Sequence, residues 1–301
     1  MNLKQYHNNY SSYLKIERAL SNNTIESYLR DVKFFLQFID EKYNEISITA
    51  INSDIISEYL INVNEQKKSK PTQSRIISSL RSFFKYLKLE KIISESPMDM
   101  IDLPQLDKHL PDVLSIEDVN KIIDSIDLSL PNGQRNRAII EMLYGCGLRV
   151  SELINLRVSD IDREVMFIKV KGKGNKERLV PLGKTALKQV EIYLDNYRLH
   201  INPSKKSEDI LFLNRRGGKL SREMIFIIVK ELTEKAGIKK NISPHTFRHS
   251  FATHMIQRGA DIRIVQDMLG HESILTTEIY THINKQHLRD VVDKYHPLND
   301  L

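Results

Sequence analysis

Six side chains between positions 149 and 280 of this 301-residue sequence are of types that suit a phosphate under attack: Arg149, Lys173, His245, Arg248, His271 and Tyr280. Arginine carries a permanent charge on a planar fork that matches phosphate oxygens. Arg149 and Arg248 together suit the two non-bridging oxygens of one phosphodiester, where they would stabilise the charge that grows as phosphorus becomes five-coordinate. A tyrosine has an unperturbed pKa of about 10 and needs a base or surrounding positive charge to attack at neutral pH. His245 and His271 suit that help, or a hydrogen bond to the phosphate. Lys173 suits delivery of a proton to the leaving 5′ oxygen. Such an attack stores the diester energy in a phosphotyrosyl link that a DNA hydroxyl can resolve, without ATP. The scheme calls for no cofactor and no metal, and the acidic residues are too scattered to suggest a two-metal site.

Each residue also has a plainer reading. Arg149 can cap a helix or pair with Glu152, Lys173 can be a solvated turn residue, and Tyr280 can be core. His245 and His249 stand four apart, a spacing that can ligate a metal, but no HExxH glutamate or third ligand accompanies them. His249 and His254 read as structural, and Cys146 receives no role. The plainer readings lose because all six would have to coincide in order.

The elements that must position these groups read as mainly α, with a small β-hairpin in the C-terminal half. Residues 1–103 read as helical. Ile25, Tyr28, Leu29, Val32, Phe35, Leu36 and Ile39 recur at helical spacing behind an Asn23/Glu26 capping pair. Pro71 opens a helix with Ile76, Leu80, Phe83, Phe84 and Leu87 on one stripe. Lys70, Arg75, Arg81 and Lys85 lie around the other side, a solvated face or a surface that follows a phosphate backbone. Three prolines in 97–111 break the pattern and place a linker at 104–111. The second domain spans 112–301. There Ser115 with Asp118 starts a helix, and a longer one follows Asn136 to Gly145. Arg149 falls just past the glycine turn.

Two β-prone runs, 166–170 and 178–180, flank a Gly/Asn turn and put Lys173 at a hairpin tip. Ile210–Leu213 reads as a short strand, and 184–199 and 221–236 as helices, the latter with Ile225, Ile227, Ile228 and Leu232 apolar. Ser243 and Pro244 start a helix that carries His245, Arg248 and His249 along one side and stops at Gly259. Ser273 reads as the start of a short helix towards Tyr280. Leu288, Val291, Val292 and Tyr295 form a last apolar face, suited to docking on its own core or on a neighbouring subunit.

Composition sets the frame. The chain is 41% hydrophobic and 28% charged with a net charge of +6, ordinary for a globular protein and compatible with a polyanionic partner. One cysteine excludes an intramolecular disulfide. No apolar run approaches a membrane span and the polar start is no signal peptide, so a cytoplasmic protein is expected.

Five ordered blocks then carry a resemblance: Gly147 to Leu153, Gly172 to Arg178, His245 to His249, Leu269-Gly270-His271, and Tyr280. They are similar to the tyrosine site-specific recombinase (phage integrase) family. Ser21 to Ile25 and Leu80 to Phe83 resemble that family's N-terminal domain. Within the family the likeness is to the Xer subfamily, and the hairpin run resembles its D type more than its C type.

The resemblance implies a two-domain architecture: a helical SAM-like core-binding domain and a catalytic domain, clamped around duplex DNA. It implies Tyr280 as nucleophile, with Arg149, Lys173, His245, Arg248 and His271 completing the site and Glu152 supporting the first arginine. It also implies four protomers on two dif-like DNA sites, a second Xer-type recombinase, an FtsK-type DNA translocase and a Holliday-junction intermediate. The C-terminal helix near 286–296 would pack on the next protomer. A non-catalytic DNA-binding regulator on the same scaffold and a type IB topoisomerase-like relaxase are the competing readings. The intact arginines and phenol argue against the first, and dependence on site pairing would separate the second.

Overall fold

The computed structural model describes residues 3–18, 20, 22–44, 46–102, 112–172, 176–270 and 282–300. The chain divides into two compact units, Met1–His109 and Leu110–Leu301. The expected linker at 104–111 lies outside the described residues.

The first unit packs four long helices: α1 (Leu3–Ile16), α2 (Asn22–Tyr43), α3 (Ser53–Glu65) and α4 (Lys70–Leu89). The apolar spacing of α2 and α4 turns Val32, Phe35 and Ile39 towards Leu80, Phe83, Phe84 and Leu87, all buried in one aromatic-rich core. Pro71 sits in the first turn of α4, where a missing N–H costs nothing. The helix α2 begins at Asn22, so Asn23 lies inside its first turn and is not the cap that the sequence suggested. A polar tie crosses this core: buried Asp31 on α2 accepts from Arg75 and Ser79 on α4.

In the second unit Ser115 and Asp118 form the expected capping box for α5 (Ile116–Asp124). Helix α6 (Gly133–Gly145) starts three residues before the expected Asn136 and is buried on all sides except at Arg137. A Cβ at Gly133 would stand 2.1 Å from the Asp127 carbonyl oxygen, so only glycine lets the helix begin there. A short helix α7 (Val150–Leu153) follows. Next come β1 (Ile161–Asp162), β2 (Phe167–Lys171) and β3 (Glu177–Pro181), an antiparallel sheet in sequence order with Val170 opposite Arg178 and Ile168 opposite Val180.

The remaining helices are α8 (Lys184–Asn196), α9 (Arg222–Lys235), α10 (Pro244–Gln257), α11 (Ile262–Leu269) and α12 (His282–Tyr295). Ile210–Leu213 is not a strand. It makes two isolated bridges, Arg157 with Ile210 and Leu213 with Lys219, and no continuous ladder. Ile227 on α9 is exposed while Ile225, Ile228 and Leu232 are buried, so the apolar face there is narrower than expected. Leu288, Val291, Val292 and Leu298 are buried in the unit's own core.

Candidate active site

The site is built around one carboxylate. Glu152 sits at the third position of α7, and its Oε2 accepts the backbone N–H of Arg149 at 2.8 Å, which closes the first turn of that helix. Its Oε1 accepts from Arg149 Nη1 at 2.8 Å. From strand β3, Arg178 places Nη1 and Nη2 on Oε1 and Oε2 at 2.8 and 2.9 Å, a two-point fork. From helix α10, Arg248 Nη1 lies 3.9 Å from Oε2. Three guanidinium groups on three elements thus surround one buried carboxylate.

The same three arginines hold the end of α11. The last carbonyls of a helix lack intrahelical partners and carry the negative end of its dipole. Here Arg178 Nε donates to Met268 O at 2.8 Å, Arg248 Nη2 donates to Leu269 O, and Arg149 Nη2 donates to Gly270 O at 3.2 Å. Gly270 caps the helix at φ +63°, a left-handed conformation that glycine adopts without strain. Arg248 also donates to the Gly147 carbonyl at 2.7 Å. Gly147 sits at φ +57°, and a Cβ there would stand 2.7 Å from the Phe251 ring. The glycine turn between α6 and α7 therefore lets the backbone approach α10 closely enough to become an acceptor for Arg248.

The electrostatics follow from this crowding. Burial would raise the Glu152 carboxyl, but the bonds from Arg178 and Arg149 outweigh it and hold it below the usual carboxylate range. Burial and the neighbouring Arg149 push Arg248 down to about 9, still charged at neutral pH. Three cations against one anion leave a positive surplus. His245 stands in the first turn of α10, which Ser243 caps with Thr246 as its box partner. His245 is exposed overall, yet its imidazole is pushed below the ordinary value by partial desolvation and then by Arg248, His249 and Arg149, which favours the neutral form that can accept a proton. Although His245 and Arg248 stand a turn apart on α10, Arg248 is buried and His245 is exposed.

Of the six sequence-derived residues, the structure brings Arg149, Arg248 and His245 together, with Glu152 between the arginines. Lys173, His271 and Tyr280 lie outside the described residues, as does the short helix expected from Ser273. The neighbours of two of them do converge on the site: Gly270 precedes His271 and bonds Arg149, and a Cβ on Gly172, which precedes Lys173, would be 3.6 Å from Arg178 Nη1 and 4.0 Å from Glu152 Oε1. In the first unit Arg81 is bonded to the Ile101 carbonyl and Arg75 to Asp31, while Lys70 and Lys85 are exposed.

Arg178 is the residue that the motif reading passed over. Strand alternation carried the signal: Arg178 and Val180 point to the same side, and Val180 is core. His254 is structural, its Nδ1 2.8 Å from the Tyr144 hydroxyl, and Cys146 is buried. Among the described residues no cluster of His, Cys, Asp and Glu suits a metal ion, and no helix is long and apolar enough to cross a membrane.

Comparison with known proteins gives this geometry its class. The phage integrase family model matches residues 112–287, and the model of the phage integrase N-terminal SAM-like domain matches residues 8–91. The chain belongs to the phage integrase family and is a tyrosine site-specific recombinase. Its likeness is to the XerD type. Tyrosine recombinase XerD of Oceanobacillus iheyensis is 45% identical over 285 residues, which cover 95% of this chain and 96% of that protein. The XerD of Halalkalibacterium halodurans is 41% identical over 298 residues, 98% of this chain and 99% of that protein. Among solved structures, the XerH recombinase bound to palindromic difH substrate in a post-cleavage complex matches with a TM-score of 0.69. It is 27% identical, over 89% of this chain and 79% of that one.

Proposed function

We propose that this recombinase cuts duplex DNA by attack of the Tyr280 hydroxyl on a scissile phosphate. The Tyr280 oxygen–phosphorus bond forms, the phosphorus–5′ oxygen bond breaks, and the 5′ oxygen leaves as a hydroxyl with a proton from Lys173. A 5′ hydroxyl of the partner strand then attacks the 3′-phosphotyrosyl link, releases tyrosine and builds a Holliday junction. Arg149 and Arg248 hold the non-bridging oxygens, His245 takes up the phenol proton, His271 bonds the phosphate and Glu152 orients the arginines. The convergence of Arg149 and Arg248 on Glu152 beside a neutral His245 carries this reading, since it presents fixed positive charge next to a proton acceptor.

The first 103 residues would serve as the core-binding domain and residues 112–301 as the catalytic one. Lys70, Arg75, Arg81 and Lys85 would face the DNA backbone, with Lys70, Arg75 and Arg81 needing to leave or share their present partners. Four protomers, alone or with a second Xer-type recombinase, would assemble on two dif-like sites to resolve chromosome dimers in the cytoplasm, under an FtsK-type translocase. The test is a nicked suicide substrate that carries the host's recombination site. Intact protein, with any partner recombinase present, is expected to form a covalent adduct, and Tyr280→Phe to bind the DNA and trap none. An adduct that survives Tyr280→Phe, or none with the intact protein, would sink the assignment.

A further inference from the structure

Arg178 is none of the six residues placed in the reaction, yet its side chain is bonded both to Glu152 and to the end of α11. Its side chain is only 8% exposed. The β2–β3 register sets it opposite Val170, itself buried, so the strand aims it inward. Both Nη atoms go to Glu152 and Nε goes to Met268 O, so each nitrogen of the guanidinium is bonded within the protein. Its aliphatic stem closes the other side: a Cβ on Gly270 would stand 3.0 Å from Arg178 Cδ. One side chain thus joins β3, α7 and the last turn of α11, and the residues just before Lys173 and just before His271 both lie against it.

We propose that Arg178 is a positioning residue for strand transfer: by clamping Glu152 and the end of α11 to strand β3, it sets the orientation of Arg149 and the entry of the chain into Lys173 and His271, without itself touching the DNA phosphate. This rests on the site assignment of the preceding subsection. Arginine is required because only a planar fork can hold both carboxylate oxygens while a third nitrogen reaches a carbonyl on another element. Lysine would keep the charge and lose the geometry. A side chain that served only to neutralise Glu152 would tolerate that exchange, and a positioning residue does not.

The experiment uses full-length protein and compares Arg178→Lys, Arg149→Lys and the double variant with wild type. Thermal melting, affinity for the recombination site and single-turnover cleavage of the nicked substrate at saturating protein are measured. Arg178→Lys is expected to fold, to bind DNA within about threefold of wild type, and to cleave about 10- to 100-fold more slowly, the scale of a misplacement near 1 Å. If Arg178 acts through Glu152 and Arg149, the double variant will cleave within about threefold of the slower single variant rather than at the product of both losses.

Cleavage by folded Arg178→Lys at the wild-type rate overturns the proposal. So does full additivity with Arg149→Lys. So does failure of both Arg178→Lys and Arg178→Gln to fold, which would make Arg178 part of the core alone. If Tyr280→Phe still forms an adduct, the site assignment falls and this inference with it, whereas an inert Tyr280→Phe beside a fully active Arg178→Lys removes this inference only.

Discussion

Glu141 and Glu152 lie in the same unit and are nearly sealed from water, at 1% and 4% exposure, yet their carboxyls are driven in opposite directions. Burial pushes Glu141 up to about 7, with Arg137 offsetting only part of the effect. The nearest contact between them is 3.9 Å from Arg137 Nε, and both that nitrogen and Glu141 Oε2 lack a hydrogen-bond partner. Glu152, equally buried, receives bonds from Arg149 and a fork from Arg178, and stays below the ordinary range. Burial is common to both, so the difference lies in geometry. A carboxylate becomes a fixed negative hub when guanidinium planes meet its own plane, and becomes a weak acid when they do not. The hub belongs to the site that must hold three cations close together, while Glu141 sits on α6 among apolar residues.

Removal of the hub gives the largest expected effect. Glu152→Ala leaves the buried Arg178 and Arg248 without their counter-charge, and should cost about 3–5 kcal/mol of stability. Chemical denaturation would measure it, and a loss below about 1 kcal/mol would show that the arginines do not depend on Glu152.

The same kind of change at Glu141 should do the reverse. Its folded value lies above the 4.5 of the unfolded chain, so its contribution favours the fold fully below pH 4.5 and is lost as pH rises through about 7. At pH 8, Glu141→Gln is therefore expected to stabilise the protein by about 3 kcal/mol, with the gain gone near pH 4. Melting curves at the two pH values read the sign directly, and a destabilised Glu141→Gln at pH 8 would erase the contrast.

A smaller effect, about 1–3 kcal/mol, should follow from Gly147→Ala, which adds a methyl at φ +57° against Phe251 and Leu269. It tests whether the hub needs its backbone frame. Because the Gly147 carbonyl accepts from Arg248, cleavage should fall further than the loss of stability explains, as a comparison of melting with single-turnover rates would show.

The smallest effect concerns His296, the buried imidazole after α12, which packs on Tyr144 and Phe251. Burial holds it down at about 4, against 6.5 unfolded, so its contribution is present above pH 6.5 and is lost as pH falls towards 4. Docking of the 287–298 segment should weaken by about 1 kcal/mol at pH 6, and His296→Phe should remove that dependence. Hydrogen exchange over this segment at pH 6 and pH 8, compared at equal intrinsic rates, would measure it.

These contrasts separate what was legible in the chain from what was not. The apolar stripe of α4, the capping box at Ser115 and Asp118, the start of α10 at Ser243 and Pro244, and the β2–β3 hairpin are local patterns, and they read correctly. The helix starts at Asn22 and Gly133 were missed by one to three residues because the turn is chosen by packing, as the Asp127 carbonyl against Gly133 shows. The 210–213 segment has strand-like composition but no continuous neighbour to pair with, which composition cannot reveal. Arg178 hid inside a quoted motif because a charged residue in a strand defaults to the solvent side. Only the alternation with Val180 contradicted that default.

By itself the sequence determined the apolar stripe of α4 and the starts of α5 and α10, and it offered the pairing of Arg149 with Glu152, because such bonds close within one helical turn and need nothing beyond their own segment. Tertiary structure alone decided that Arg178 and Arg248 join them, that α11 ends on three guanidinium groups, and that Glu141 receives no such company. Those outcomes depend on which distant surfaces pack together, and a charge acquires its meaning only from the partners and the water that packing leaves around it.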